Sequence, residues 1–151
     1  MVILIFIVVI SIAVSFLCSI LEASLLSLTP TFISQQKSRS PQLYIALKAL
    51  RDKIDRPLVA ILTLNTIAHT AGAAGVGAQV TALYGSHYLG IASAIMTILI
   101  LILSEIIPKV LGAKYWRKIA PALPKILNPM ILLLRPFIWL SDRILRIIGN
   151  H

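Results

Sequence analysis

The chain has 151 residues, a formal net charge of +9, 58% apolar residues and only 13% charged ones. A typical soluble domain is about 45–50% apolar and about 25% charged, so folding this chain in water would leave large apolar patches exposed, which argues against both a soluble monomer and a disordered chain. The length allows one domain, and the single cysteine, Cys18, excludes an intrachain disulfide and any multi-cysteine metal site.

Three apolar stretches follow in chain order, and they predict an all-α membrane protein. The first covers residues 2–28, and Ser11 is its only polar side chain between Val2 and Val14. A secretory signal is the competing reading, but there is no basic n-region and the apolar stretch is too long for one. The second, 58–83, contains no charged residue, and the third, 88–108, reaches Glu105 and Pro108 at its end. At 1.5 Å rise per residue, about 20 residues span a hydrocarbon core of ~30 Å. None of the three alternates with the period of two that a membrane barrel requires.

Charge sets the expected orientation. All basic residues fall between Lys37 and Arg56 or from Lys109 onward; the N-terminus and the Tyr84–His87 turn have none. Short basic loops stay in the cytoplasm, which predicts the N-terminus outside and both basic segments inside. The surplus charge is then a topology signal and a contact for anionic lipid, not a nucleic-acid surface.

Two cytoplasmic-side segments read as interfacial. Residues 40–56 form an expected amphipathic helix, with Ser40 as N-cap, Pro41 in the first turn, and Leu43, Leu47, Leu50 and Ile54 on one face. Pro57 is expected to end it. Residues 115–148 are apolar enough to suggest a fourth span, but Arg135 would then sit in hydrocarbon and Arg143 and Arg146 would lie outside. The segment is expected instead as an interfacial belt bent at Pro136, with Lys109, Trp116, Arg135 and Trp139 as interface anchors.

Polar residues inside spans are the informative ones. Ser11, Ser15, Ser19 and Glu22 share one face of the first span. Asn65, His69 and Gly72 share a face of the second, within a Gly/Ala run that includes Gly75. His69 reads as a polar packing residue. The Gly/Ala run reads as a close-packing or dimer face, with Gly72 and Gly75 as helix breaks at the site. Pro108 denies an N–H to the carbonyl of Ser104, so a helix break is expected beside Glu105. An i,i+4 pair of Glu105 with Lys109 is the plainer alternative for that carboxylate. Hydroxyls, an amide oxygen, carboxylates and freed carbonyls are hard oxygen donors, suited to Mg²⁺, Ca²⁺ or Na⁺. No hydrolase or P-loop pattern is present in the sequence, so an enzyme is not expected.

The run SFLCSILEAS from Ser15 to Ser24, Leu64–Asn65 in a Gly/Ala-rich second span, and SEIIPK from Ser104 to Lys109 occur in this order. Together they resemble the transmembrane domain of the CNNM/CorC (cyclin M-like) magnesium transporters. The resemblance covers nearly the whole chain. It implies a homodimer in the cell (inner or plasma) membrane that exports Mg²⁺ coupled to Na⁺ influx, with a dehydrated or partly dehydrated ion held between the three spans. It assigns Ser15, Ser19, Asn65 and Glu105 to the ion site and matches Glu22 to a common acidic position. His69 stands where many members have a second polar residue, often Asn. Full-length relatives are expected to continue into cytoplasmic CBS modules that bind ATP, which these residues do not include. The alternative function is a non-transporting module that senses Mg²⁺ or anchors cytoplasmic partners.

Overall fold

The computed structural model describes residues 1–149, and these form helices with no strand among them. Helix α1 (Val2–Ser27) is the centre of the bundle. It packs along α4 (Asp55–Tyr84) on one side and, on the other, along α6 (Ile107–Ile119) and the π-helical segment Ile100–Ile106 that precedes it. Three helical runs are long and apolar enough to cross a membrane: Val2–Ser27, Asp55–Tyr84 and Ser86–Leu133. Their outer faces carry bare apolar side chains, from Val2 at 81% exposure to Ile91 at 60%. Such a surface is stable only in an apolar solvent.

The first basic segment holds two helices rather than one. Thr29 accepts from the Phe32 N–H at 3.2 Å and Pro30 occupies the first turn, which starts α2 (Pro30–Arg39). Ser40 is N-cap of α3 (Pro41–Asp52), but its hydroxyl makes no capping bond. The chain turns at Lys53 and Ile54, so α3 ends before Pro57. That proline lies in the first turn of α4, where a missing N–H costs nothing. Gly85, at φ +84°, closes α4 by passing its N–H to the Thr81 carbonyl; a residue with a Cβ would be strained there.

The expected helix breaks at Gly72 and Gly75 are not found: α4 is helical through both. A mid-helix glycine weakens a helix by about 0.5–1 kcal/mol but does not stop it. What Gly72 provides is proximity, because a Cβ there would overlap Ser11 of α1. Gly75 similarly faces Ile7, where an added Cβ would lie 3.1 Å from Cγ2. Pro108 does not break the third span either. Short helix α5 (Leu89–Leu99) widens into the π segment, and Pro108 lies fully buried in the first turn of α6. A π turn absorbs the lost donor while the chain continues in one direction.

The C-terminal belt is segmented. A kink at Tyr115 and a 3₁₀ turn at Ala120–Ala122 lead into α7 (Leu123–Leu133), and α8 (Arg135–Gly149) follows. The bend falls at Leu134, two residues ahead of Pro136, whose ring crowds the carbonyls before it. The main core lies at this end of the bundle, where Leu21, Leu25, Leu47, Ile61, Leu123 and Leu127 are almost wholly buried. Cys18 is buried with them. The core anchors one end of α1, so its Ser15–Glu22 face is held against α4 and α6.

Candidate cation site

Three helical segments each present a polar pair four residues apart: Ser15 and Ser19 on α1, Asn65 and His69 on α4, Glu105 and Lys109 across the π–α6 junction. That spacing puts both members of a pair on one face. The three faces meet inside the bundle.

Ser15 and Ser19 are completely buried, and Asn65 nearly so. The Ser15 hydroxyl donates to Asn65 Oδ1 at 2.6 Å, and the Asn65 amide donates to Glu105 Oε1 at 3.4 Å. His69 Nε2 lies 2.5 Å from Ser15 Oγ and 3.4 Å from Glu105 Oε1. With the Ser15 proton directed at Asn65, an Nε2–H tautomer of His69 complements the oxygens of Ser15 and Glu105. The other carboxylate oxygen, Glu105 Oε2, sits 2.9 Å from Lys109 Nζ. Lys109 also reaches Glu22 Oε2 at 3.8 Å. Glu105 is thus surrounded by three donors, which is what a carboxylate set among apolar helices requires.

A second tier lies one turn along α1. Ser19 donates to the main-chain carbonyl of Ser104 at 2.5 Å. This is the carbonyl that Pro108 cannot serve in α-helical register, so sequence chemistry and packing meet at one atom. The Ser104 hydroxyl is buried without a partner. Beside Glu105 and His69 an open cavity of 570 Å³, also lined by Thr70 and Thr97, runs between α4 and the π segment.

The structure therefore brings together Ser15, Asn65 and Glu105, and it places Ser19 and Glu22 at the edges of the same cluster. It includes His69, which the sequence pattern marked as packing, and it adds the Ser104 hydroxyl and Gly112, which the pattern did not single out. Gly112 lets α6 approach α1 so closely that a Cβ there would lie 2.7 Å from the Ile20 carbonyl oxygen. Its only sequence signal is a lone glycine in the segment after Pro108. On a different face of α1 from the Ser15–Glu22 stripe, the Ser24 hydroxyl donates to the Gly112 carbonyl at 3.4 Å.

Among the anchors, Lys109 is occupied by carboxylates. Trp116 packs edge-on against Phe32 with ring centroids 5.0 Å apart, while Trp139 is exposed and Arg135 lines a surface cavity. Among the described residues no three His, Cys, Asp or Glu side chains gather in a metal-binding group. The donors at the cluster are a carboxylate, an amide, hydroxyls, the Ser104 carbonyl and one imidazole, a mostly oxygen set that favours hard cations.

Comparison with known sequences gives a consistent result. A family description, the cyclin M transmembrane N-terminal domain, matches residues 5–150. The UPF0053 protein sll1254 of Synechocystis sp. is 34% identical over 128 residues, which is 85% of this chain and 37% of that protein. The UPF0053 inner membrane protein YfjD of Escherichia coli is 28% identical over 77% of the chain and 26% of its own length. A chloroplastic DUF21 domain-containing protein of Arabidopsis thaliana is 29% identical over 87% of the chain and 20% of its own length. The chain spans well under half the length of each of these relatives.

Proposed function

The chain belongs to the cyclin M transmembrane N-terminal domain family, and on that premise we propose that it is a membrane transporter, not an enzyme, whose cargo is Mg²⁺. In this reading Mg²⁺ is exported across the cell membrane by a homodimer, coupled to Na⁺ influx. The observation that carries it is the hydrogen-bonded chain Ser15–Asn65–Glu105, running from the buried face of α1 to a half-buried carboxylate beside an open cavity between apolar helices. Buried polar groups in a membrane bundle are costly and mark ion pathways.

The geometry suggests how the cycle would run. Without an ion, Lys109 neutralises Glu105 and Asn65 directs its oxygen at Ser15. An arriving cation displaces the Lys109 ammonium from Glu105, turns the Ser15 hydroxyl away, and takes up the amide and carboxylate oxygens. Lys109 then stays with Glu22. When the ion leaves, the ammonium returns, so the partly buried carboxylate is never left unpaired. The π segment supports this by placing the Ser104 carbonyl and Glu105 on the same wall.

The test is Mg²⁺ flux into proteoliposomes loaded with a Mg²⁺-sensitive dye, with and without a Na⁺ gradient. Flux that needs Glu105 supports the proposal. The much greater length of the relatives favours a second reading, a membrane anchor or Mg²⁺ sensor for attached cytoplasmic domains. That reading predicts Mg²⁺ binding or plain insertion with no flux.

A further inference from the structure

Away from the cation cluster, the described surface concentrates arginine where α8 folds along the start of α4. A cavity of 350 Å³ is walled there by Arg56 of α4 and by Arg135, Arg143 and Arg146 of α8, with Asp142 as its one carboxylate. None of these arginines forms an ion pair: among the described residues, the ion pairs are those joining Glu22, His69, Glu105 and Lys109. An adjoining cavity of 430 Å³ shares Arg56, Asp142 and Arg146 and adds Lys53, Asp52 and Asp55. The positive excess therefore lies on the side of Arg135 and Arg143. Asp142 offsets only part of this charge, so the remaining like charges repel and an anion relieves them. The Arg143 guanidinium lies 4.9 Å from the Trp139 ring centroid, which limits the orientations of its fork.

The opposite face of α8 decides what kind of anion fits. At about 100° per residue, Phe137, Ile144 and Ile148 fall away from the arginine stripe, and each is about half exposed or more. A charged cavity and a bare apolar stripe thus share one helix. We infer that this cavity binds the phosphate of an anionic phospholipid, with guanidinium forks on the phosphate oxygens and the acyl chains along the apolar face of α8. This does not depend on which ion the bundle moves. A free phosphate offers the same oxygens but leaves the apolar stripe unused.

The experiment follows thermal unfolding of the whole chain in neutral micelles as dioleoylphosphatidylglycerol, dioleoylphosphatidylcholine or inorganic phosphate is added. The expected result is a midpoint raised by phosphatidylglycerol alone. Arg143→Gln with Arg146→Gln should weaken that effect by roughly tenfold or more in apparent affinity, the size expected for losing two basic contacts. Lys114→Gln with Lys125→Gln, which removes equal charge elsewhere, should leave it unchanged. Arg143→Lys with Arg146→Lys keeps the charge, loses the fork, and should fall between. Equal losses in the two glutamine pairs would mean diffuse attraction and no site. Displacement of phosphatidylglycerol by inorganic phosphate would make the ligand a soluble anion. No preference of the unmodified chain for phosphatidylglycerol over phosphatidylcholine overturns the inference without any variant.

Discussion

The Lys109 ammonium lies 2.9 Å from Glu105 Oε2, on the far side of the carboxylate from Asn65 and His69. The pair is the simple i,i+4 bridge that sequence spacing allows, yet the same carboxylate also faces the polar cluster. Both descriptions of Glu105 hold at once, and this makes Lys109 an internal competitor for any cation that enters. Lys109→Gln should therefore raise apparent Mg²⁺ affinity. One lost charge-assisted hydrogen bond, about 1.5 kcal/mol, corresponds to roughly tenfold. Isothermal titration with MgCl₂ in micelles reads this directly; unchanged or weaker binding would remove Lys109 from the proposed cycle.

Glu105→Gln keeps the shape of the side chain and removes its charge. Transport should be lost while the helical content and assembly of the protein survive, because Gln still accepts from Asn65. Flux through proteoliposomes, compared with far-UV circular dichroism of the same preparation, separates the two effects. Normal flux from this variant would leave the anchor reading as the better one.

Asn65→Ala removes the amide proposed as a neutral ligand and leaves His69 as the remaining partner of the Ser15 hydroxyl. A ligand that binds only the folded state stabilises it by mass action, by about 2.7 kcal/mol at a hundredfold excess over Kd. The Mg²⁺-induced rise in Tm should shrink in this variant, since Mg²⁺ demands a near-ideal octahedron at ~2.0–2.1 Å. A full-sized shift would show that the amide is not a ligand.

Much of this was legible in the residues. Apolar length gave three spans, and the helical period of Ser11, Ser15, Ser19 and Glu22 gave the buried face of α1. The missing N–H of Pro108 pointed to the Ser104 carbonyl. Other features depend on packing that no local pattern encodes. Glycines read as breaks because sequence cannot show what stands opposite, and only the position of Ser11 explains Gly72. His69 looked like packing because its partners lie 54 and 36 positions away. The helix at Pro30–Arg39 has a sound start signal in Thr29–Pro30, but its polar composition gives no apolar face to mark it.

Gly72 and Gly75 should respond unequally to alanine. At Gly72 the added methyl would lie 2.6 Å from Ser11 Cβ, so α1 and α4 must separate, at about 1–3 kcal/mol. At Gly75 it meets Ile7 Cγ2 and Cδ1 at 3.1 and 3.3 Å, a much smaller overlap than at Gly72, and under about 1 kcal/mol is expected. Ser11→Gly should restore much of the Gly72→Ala loss. Thermal unfolding of the three variants decides it, and an equal response at the two glycines would contradict the packing described.

Orientation has its own readout. Cysteines placed at Ser38 and Ser86, both exposed, in a Cys18→Ser background should react with an impermeant maleimide from opposite sides of the membrane. Labelling of both from one side would refute the arrangement that the basic residues imply.

Cys18, in the unmodified chain, has a different use. Its thiol is sealed between α1 and its neighbours, so a membrane-permeant alkylating reagent can reach it only when that seam opens. The alkylation rate then becomes a clock for local opening: when reclosing is fast it reports the open population, and when the reagent outpaces reclosing it reports the opening rate itself. Because the seam runs beside Ser15 and Ser19, the same clock read with and without Mg²⁺ would test whether the proposed bound ion clasps the first helix to the other two.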